Sequence, residues 1–292
     1  MTGQYQKIRA RVALYRQCVF TGLCLVFSMF AVPMLFAADE KITGRLIVED
    51  VLARPNSQVM LQARLVQDGL VGVRGLSGET IEFVVQGLRA GTALTDKDGH
   101  ASLEFKTHMR GNQKIVAKVE PSSKVTAQSG IANFASWERR KPMLLIDVVT
   151  LLKSEGGTVL PAFDTSIFGE PDPDAPHELS MLGEFYYNII YLLRGKDGDV
   201  ERLRDWLKAS KFPPGITRRV QIGPDPLLAF IAQLKEGGWD HVEAGIGQTK
   251  GFADTLVKNR IKVVIFPDPS KKEKFPRRAK IVSQWKEVRK YL

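Results

Sequence analysis

"PMLLIDVVTLL", residues Pro142 to Leu152, is an apolar run interrupted by a single carboxylate, Asp147. A continuous apolar stretch of this length is the pattern of a central strand in a parallel sheet, buried on both faces. Asp147 falls where that strand ends. In open parallel sheets ligands bind outside the carboxyl ends of the strands, so an acid at this place is a candidate site residue. The plainer expectation is that Asp147 caps the following turn through its backbone N–H groups.

Downstream of this run, helical and strand patterns alternate. "PHELSMLGEFYY" has helical spacing and "NIIYLLRG" reads as a strand. "DVERLRDWLKAS" is an amphipathic helix, with Val200, Leu203, Trp206 and Leu207 on one side and Glu201, Arg202, Arg204 and Asp205 on the other. "DPLLAFIAQLKEGG" is a helix stopped by glycines, and strand "HVEAGIG", helix "ADTLVKNR" and strand "IKVVIFPDP" follow. This order predicts a three-layer, Rossmann-like α/β domain with a parallel sheet over residues 143–270. The last stretch, 271–292, is a basic helix or tail. In "KIVSQWKEVRKYL", Ile281, Val282, Trp285, Val288 and Leu292 fit an inward face.

Upstream the pattern has a period of two. "RLIVEDVL", "QVMLQARLV", "TIEFVVQG", "TALTD", "ASLEFKT" and "KIVAKVE" are short alternating runs separated by "SGE", "KDGH" and "RGNQ". Strands at this spacing predict an Ig-like β-sandwich over 39–135, followed by a polar connector at 136–142. The order "GETIEFVV…GTALTDKDGHASLEF" resembles bacterial Ig-like modules of envelope proteins, in which Asp96, Asp98 and Gly99 form the turn between two strands. Side-chain bonds to local backbone N–H groups account for both aspartates, and two carboxylates fall short of a calcium shell.

The second half also resembles a known family. "IIYLLRGKDGDVERLRDWLKASKFPPGI" and "EAGIGQTKGFADTLVKNRIKVVIFPDP" are similar to the second and last motif regions of haloacid-dehalogenase-like (HAD) phosphatases of the lipin-type, phosphatidate-phosphatase branch. The resemblance covers about residues 142–269 and implies Asp147 as nucleophile, with Mg²⁺ held by Asp147 and Asp254. Thr150 lies near the Thr of the first motif, and Arg194, Arg218 and Arg219 are the phosphate-binding candidates. The chain departs from the pattern at several places. Val149 stands where a second acid is expected, Leu192, Leu193 and Arg194 stand where a Ser or Thr would hold phosphate, and the phosphate-facing Lys has no counterpart. General acid–base help is worth about 10²–10⁴-fold and each lost oxyanion donor about 10²–10³-fold. The resemblance therefore implies a degenerate site, a pseudoenzyme binding or scaffolding a phosphorylated or anionic ligand without a metal. The alternatives are an active Mg²⁺-dependent phosphatase acting on phosphatidate or another phosphomonoester, and a purely structural envelope protein.

Composition sets the compartment. The chain has 292 residues and a formal charge of +10. Residues 1–38 open with Lys7, Arg9, Arg11 and Arg16 and no acid, and an apolar run then ends in "PMLFAADE". This predicts a signal peptide or an uncleaved signal anchor, and export to the periplasm or cell envelope. Removing those four basic residues from 42 leaves 38 Lys and Arg against 32 Asp and Glu, a charge of +6. Both cysteines, Cys18 and Cys24, lie in that segment, so the exported part has no disulfide. The basic tail is a candidate contact for anionic lipid or an envelope polymer, and export argues against nucleic acid. His100, His108, His177 and His241 show no ligand spacing, and the acidic "FGEPDPDAPHE" reads as a solvated loop.

Overall fold

Alternation of burial builds the first half of the chain. The computed structural model describes residues 41–69, 72–121, 124–153, 168–193, 199–221, 223–268 and 273–292. The expected signal segment, 1–38, lies outside them. Strands β1 (Ile42–Val48), β2 (Val51–Ala53), β3 (Gln58–Gly69), β4 (Gly72–Gly75) and β5 (Thr80–Val85) are followed by β6 (Leu88–Leu94) and β7 (His100–Lys106). β8 (Gly111–Val119), β9 (Val125–Gln128) and β10 (Gly130–Ser136) complete the series. In β5 every second residue, Ile81, Phe83 and Val85, is buried, as a half-buried strand requires.

These strands form two five-stranded sheets. One runs β4-β3-β1-β9 with β7 also on β3, and the other runs β2-β10-β8-β5-β6. Leu46, Leu61, Leu65, Ile81, Phe83, Ile115 and Phe134 fill the space between them, so this half is a β-sandwich. The chain changes sheets between β1 and β2, at Glu49 and Asp50. The Asp96 turn follows the plain expectation: its Oδ1 accepts from the backbone N–H of Asp98 at 2.9 Å and of His100 at 2.8 Å. Gly99 has φ +80° there, and a Cβ on it would run into the Leu65 carbonyl, so only glycine fits.

The second half is a six-stranded sheet in which every pair is parallel. β11 (Met143–Asp147) leads into a 3₁₀ turn, Val148–Leu151, and α1 (Ala175–Phe185), β12 (Asn188–Leu193), α2 (Asp199–Ala209) and β13 (Ile216–Arg219) follow. α3 (Pro224–Glu236), β14 (Val242–Gly247), α4 (Lys250–Lys258), β15 (Lys262–Ile265), β16 (Ala279–Ile281) and α5 (Trp285–Val288) close the chain. The strand order is β13-β12-β11-β14-β15-β16. β11 is buried at all five positions, the two-sided burial its sequence predicts.

Alternate strand residues serve two cores. Leu144, Ile146, Ile189 and Tyr191 pack with Leu179 and Leu182 of α1, Leu203 and Leu207 of α2, and Trp285 and Val288 of α5. Met143, Leu145, Ile190 and Ile216 pack on the other face with Leu227 and Ile231 of α3 and Phe252 and Leu256 of α4. The segment 271–292 divides into edge strand β16 and the one-turn helix α5. Val282, Trp285 and Val288 point inward as expected, while Ile281 is 44% exposed on the sheet edge. Residues 41–292 make one compact unit. Among the described residues no helix is long and apolar enough to cross a membrane.

Candidate functional site

β13 is the edge strand of the parallel sheet, and its outer N–H and C=O groups need partners. The sandwich supplies them through side chains. The buried carboxylate of Asp50 accepts from the backbone N–H of Thr217 at 2.6 Å through Oδ2 and from that of Asn133 at 2.7 Å through Oδ1. Asn133 in turn donates its amide to the Gly215 carbonyl at 2.9 Å. Arg204 of α2 crosses the same gap. Its Nη1 donates to the Ile131 carbonyl at 2.7 Å, its Nη2 to the Val48 carbonyl at 2.8 Å, and its Nε lies 2.9 Å from Asp50 Oδ1. That last contact is a pairing of charges without an aligned hydrogen bond. Asp50 and Arg204 are 0% and 9% exposed as side chains, so each needs the other to offset its lost hydration.

This brace leaves cavities along the seam. One of about 420 Å³ is lined from the sandwich by Glu49, Asp50, Gln62, Arg64 and His100, and from the α/β half by Glu201, Arg204, Arg218 and Arg219. A neighbouring cavity of about 270 Å³ shares Glu49, Asp50, Gln62 and Arg218 with it and adds Leu52, Val59 and Met60. Several of the charges are already engaged. Glu201 pairs with Arg45 at 3.4 Å, and Arg64 donates to the Asp98 carbonyl at 3.1 Å. Arg218, common to both cavities, makes one hydrogen bond among the described residues, from Nη1 to the Thr217 carbonyl at 3.1 Å. Burial lowers its pKa, against the opposing pull of Asp50 and Glu49 and with the repulsion of Arg204. The guanidinium remains charged and holds unspent donors facing open volume.

The residues singled out from sequence are spread over this end of the sheet. Asp147 sits at the end of β11, 2% exposed, in register with Leu192 of β12, which is in register with Arg218 of β13. Two strand spacings put the Asp147 and Arg218 backbones about 10 Å apart on one face of the sheet. The expected side-chain cap by Asp147 is not made. Thr150 instead closes that turn, donating its hydroxyl to the Asp147 carbonyl at 2.8 Å, and Trp285 donates to the Thr150 carbonyl at 3.1 Å. Arg194 and residues 154–167 lie outside the described residues. Arg219, exposed at the end of β13, lines the larger cavity beside Arg218.

Asp254 lies on α4 and is held by Lys250 one turn earlier, at 2.5 Å. A resident Mg²⁺ favours octahedral oxygen donors. Asp147 is buried, Asp254 is engaged by an ammonium group, and no group of three or more His, Cys, Asp or Glu forms a cation site among the described residues. These two carboxylates do not fit the ion. The acidic stretch read as a solvated loop runs into α1, where Glu178 is buried, and it meets the tail in two ion pairs: Lys286 with Asp174 at 3.2 Å and Arg289 with Glu178 at 3.0 Å.

The sequence does not single out Asp50 or Thr217, and it puts Arg204 only on the side of its helix opposite the apolar residues. The one signal was the acid pair Glu49-Asp50 breaking the apolar run "RLIVEDVL", which marks the crossing between sheets.

Comparison with known proteins corrects the family expectation. No family model matches the chain, and no curated protein matches it. Similar solved structures include the fibronectin(III)-like modules of Clostridium thermocellum CbhA, with TM-score 0.23 and 15% identity over 32% of this chain and 96% of that one. Another is the CARDB domain of a Pyrococcus furiosus protein, solved with two metal ions, with TM-score 0.23 and 16% identity over 32% of this chain and 90% of that one. The HAD and lipin-type resemblance is therefore set aside, and the catalytic roles it implied for Asp147 and Asp254 go with it. The quoted motifs matched mainly as strand–helix–strand patterning, which any parallel α/β sheet shares, while the positions that carry the chemistry already differed.

Proposed function

We propose that the protein is an exported binding protein for a phosphorylated or otherwise anionic small molecule, held in the seam cavity by Arg218. One observation carries the reading: a half-buried guanidinium that lines two adjoining cavities and uses one N–H, on the Thr217 carbonyl. Its remaining donors open onto the cavities, and a planar guanidinium pairs best with phosphate or carboxylate oxygens. Arg219, Arg64 and His100 on the same walls add to the attraction, and the Asp50–Arg204 brace keeps the walls in place. The volume suits a small molecule rather than a polymer.

The test is calorimetric titration of the full chain with inorganic phosphate and with acetate, beside Arg218→Ala and Arg218→Lys. Charge-assisted hydrogen bonds from one arginine are worth about 1.5–3 kcal/mol, so Arg218→Ala weakens binding by roughly ten- to a hundredfold. Arg218→Lys retains part of the affinity, because it keeps the charge and loses the fork. Equal binding by wild type and Arg218→Ala contradicts the reading.

A further inference from the structure

Arg218 is accompanied in both cavities by a charge of opposite sign that it does not touch. Glu49, at the crossing between β1 and β2, lines both volumes with Arg218, and so does Gln62. Glu49 is exposed, and its carboxylate makes no hydrogen bond or ion pair among the described residues. It acts electrostatically on Arg218, yet no ion pair within 4.0 Å joins them. Here Arg218 is anchored on Thr217 and β13, while the backbone N–H of Glu49 donates to the Gln62 carbonyl at 3.2 Å.

A cavity lined by a cation and an anion that are not paired with each other is complementary to a molecule bearing the reverse charges. On the proposed reading of Arg218 as an anion site, we propose that the ligand is a small zwitterion: its anionic group pairs with Arg218 and its ammonium group with Glu49. Gln62 lines the same two cavities, and its side-chain amide can accept from or donate to the linking segment. Leu52, Val59 and Met60 cover the carbon chain in the smaller cavity. Charge balance argues the same way. A bare anion meets the repulsion of Glu49, whereas a zwitterion satisfies both groups.

The test compares four probes on the purified full chain by calorimetry: phosphoethanolamine, ethyl phosphate, inorganic phosphate and ethylamine. Wild type binds phosphoethanolamine about two- to fivefold more tightly than ethyl phosphate, the range of a solvent-accessible charge pair. Glu49→Gln removes that preference and leaves ethyl phosphate as tight or tighter. Glu49→Lys, at an exposed position where folding is not at stake, reverses it. Phosphate esters bound without preference for the ammonium group overturn the zwitterion and leave the anion site standing. Loss of all phosphate binding in wild type overturns both.

Discussion

Glu201 loses water on entering the seam, and burial raises its carboxyl above the ordinary value of 4.5 although Arg45 and Arg204 pull it down. A carboxyl raised by folding binds its proton more tightly in the native state. Its contribution to stability therefore falls as pH rises from about 4.5 through the folded value, and stays lost above it. Glu201→Gln removes this loss. In urea unfolding, the variant should gain stability relative to wild type on going from below pH 4.5 to neutral; a difference constant with pH contradicts this. At this scale, the strand-end position of Asp147 was legible from the apolar run before it. The burial of Arg204 was not, because helical spacing shows which side chains share a face and not what covers that face. The half-burial of Arg218 was not legible either, because it depends on a sandwich about 160 residues earlier in the chain, a separation no local pattern reports.

Among the elements, β13 and the tail show most clearly what tertiary structure adds. "ITRR" is four residues with two arginines and has no period to read, yet it forms the sheet edge because Asp50 and Asn133 complete its hydrogen bonds. Asp50→Ala orphans the Thr217 N–H and leaves Arg204 charged and buried, so it should cost about 3–5 kcal/mol in denaturant unfolding. A cost under about 1 kcal/mol would mean that water replaces the carboxylate. In the tail, the inward residues were legible from spacing, but strand β16 was not, since three residues carry no alternation. Trp285, 1% exposed, packs on Phe266 with ring centroids 5.4 Å apart and holds the turn after Asp147. Trp285→Ala should cost about 3–5 kcal/mol. An unchanged midpoint would show the tail to be peripheral.

For the whole molecule, the change of period near the connector separated a β half from an α/β half, and the parallel order followed from the succession of elements. What the sequence left open was the union of the halves. The brace of Asp50, Arg204 and Asn133 replaces the missing neighbour of the edge strand, so the sandwich is a structural part of the sheet and one wall of the cavity. Heat should therefore unfold the two halves in one transition, with far-ultraviolet and near-ultraviolet dichroism changing together. Two separated transitions would show that the seam is weak. The central claim is that this seam binds an anion on Arg218, and locating an anion tests it most directly. Crystals of the protein soaked in tungstate, an anion whose metal scatters anomalously, should show an anomalous peak within hydrogen-bonding distance of the Arg218 guanidinium, absent from Arg218→Ala crystals. A peak elsewhere, or none at Arg218 in wild type, contradicts the account.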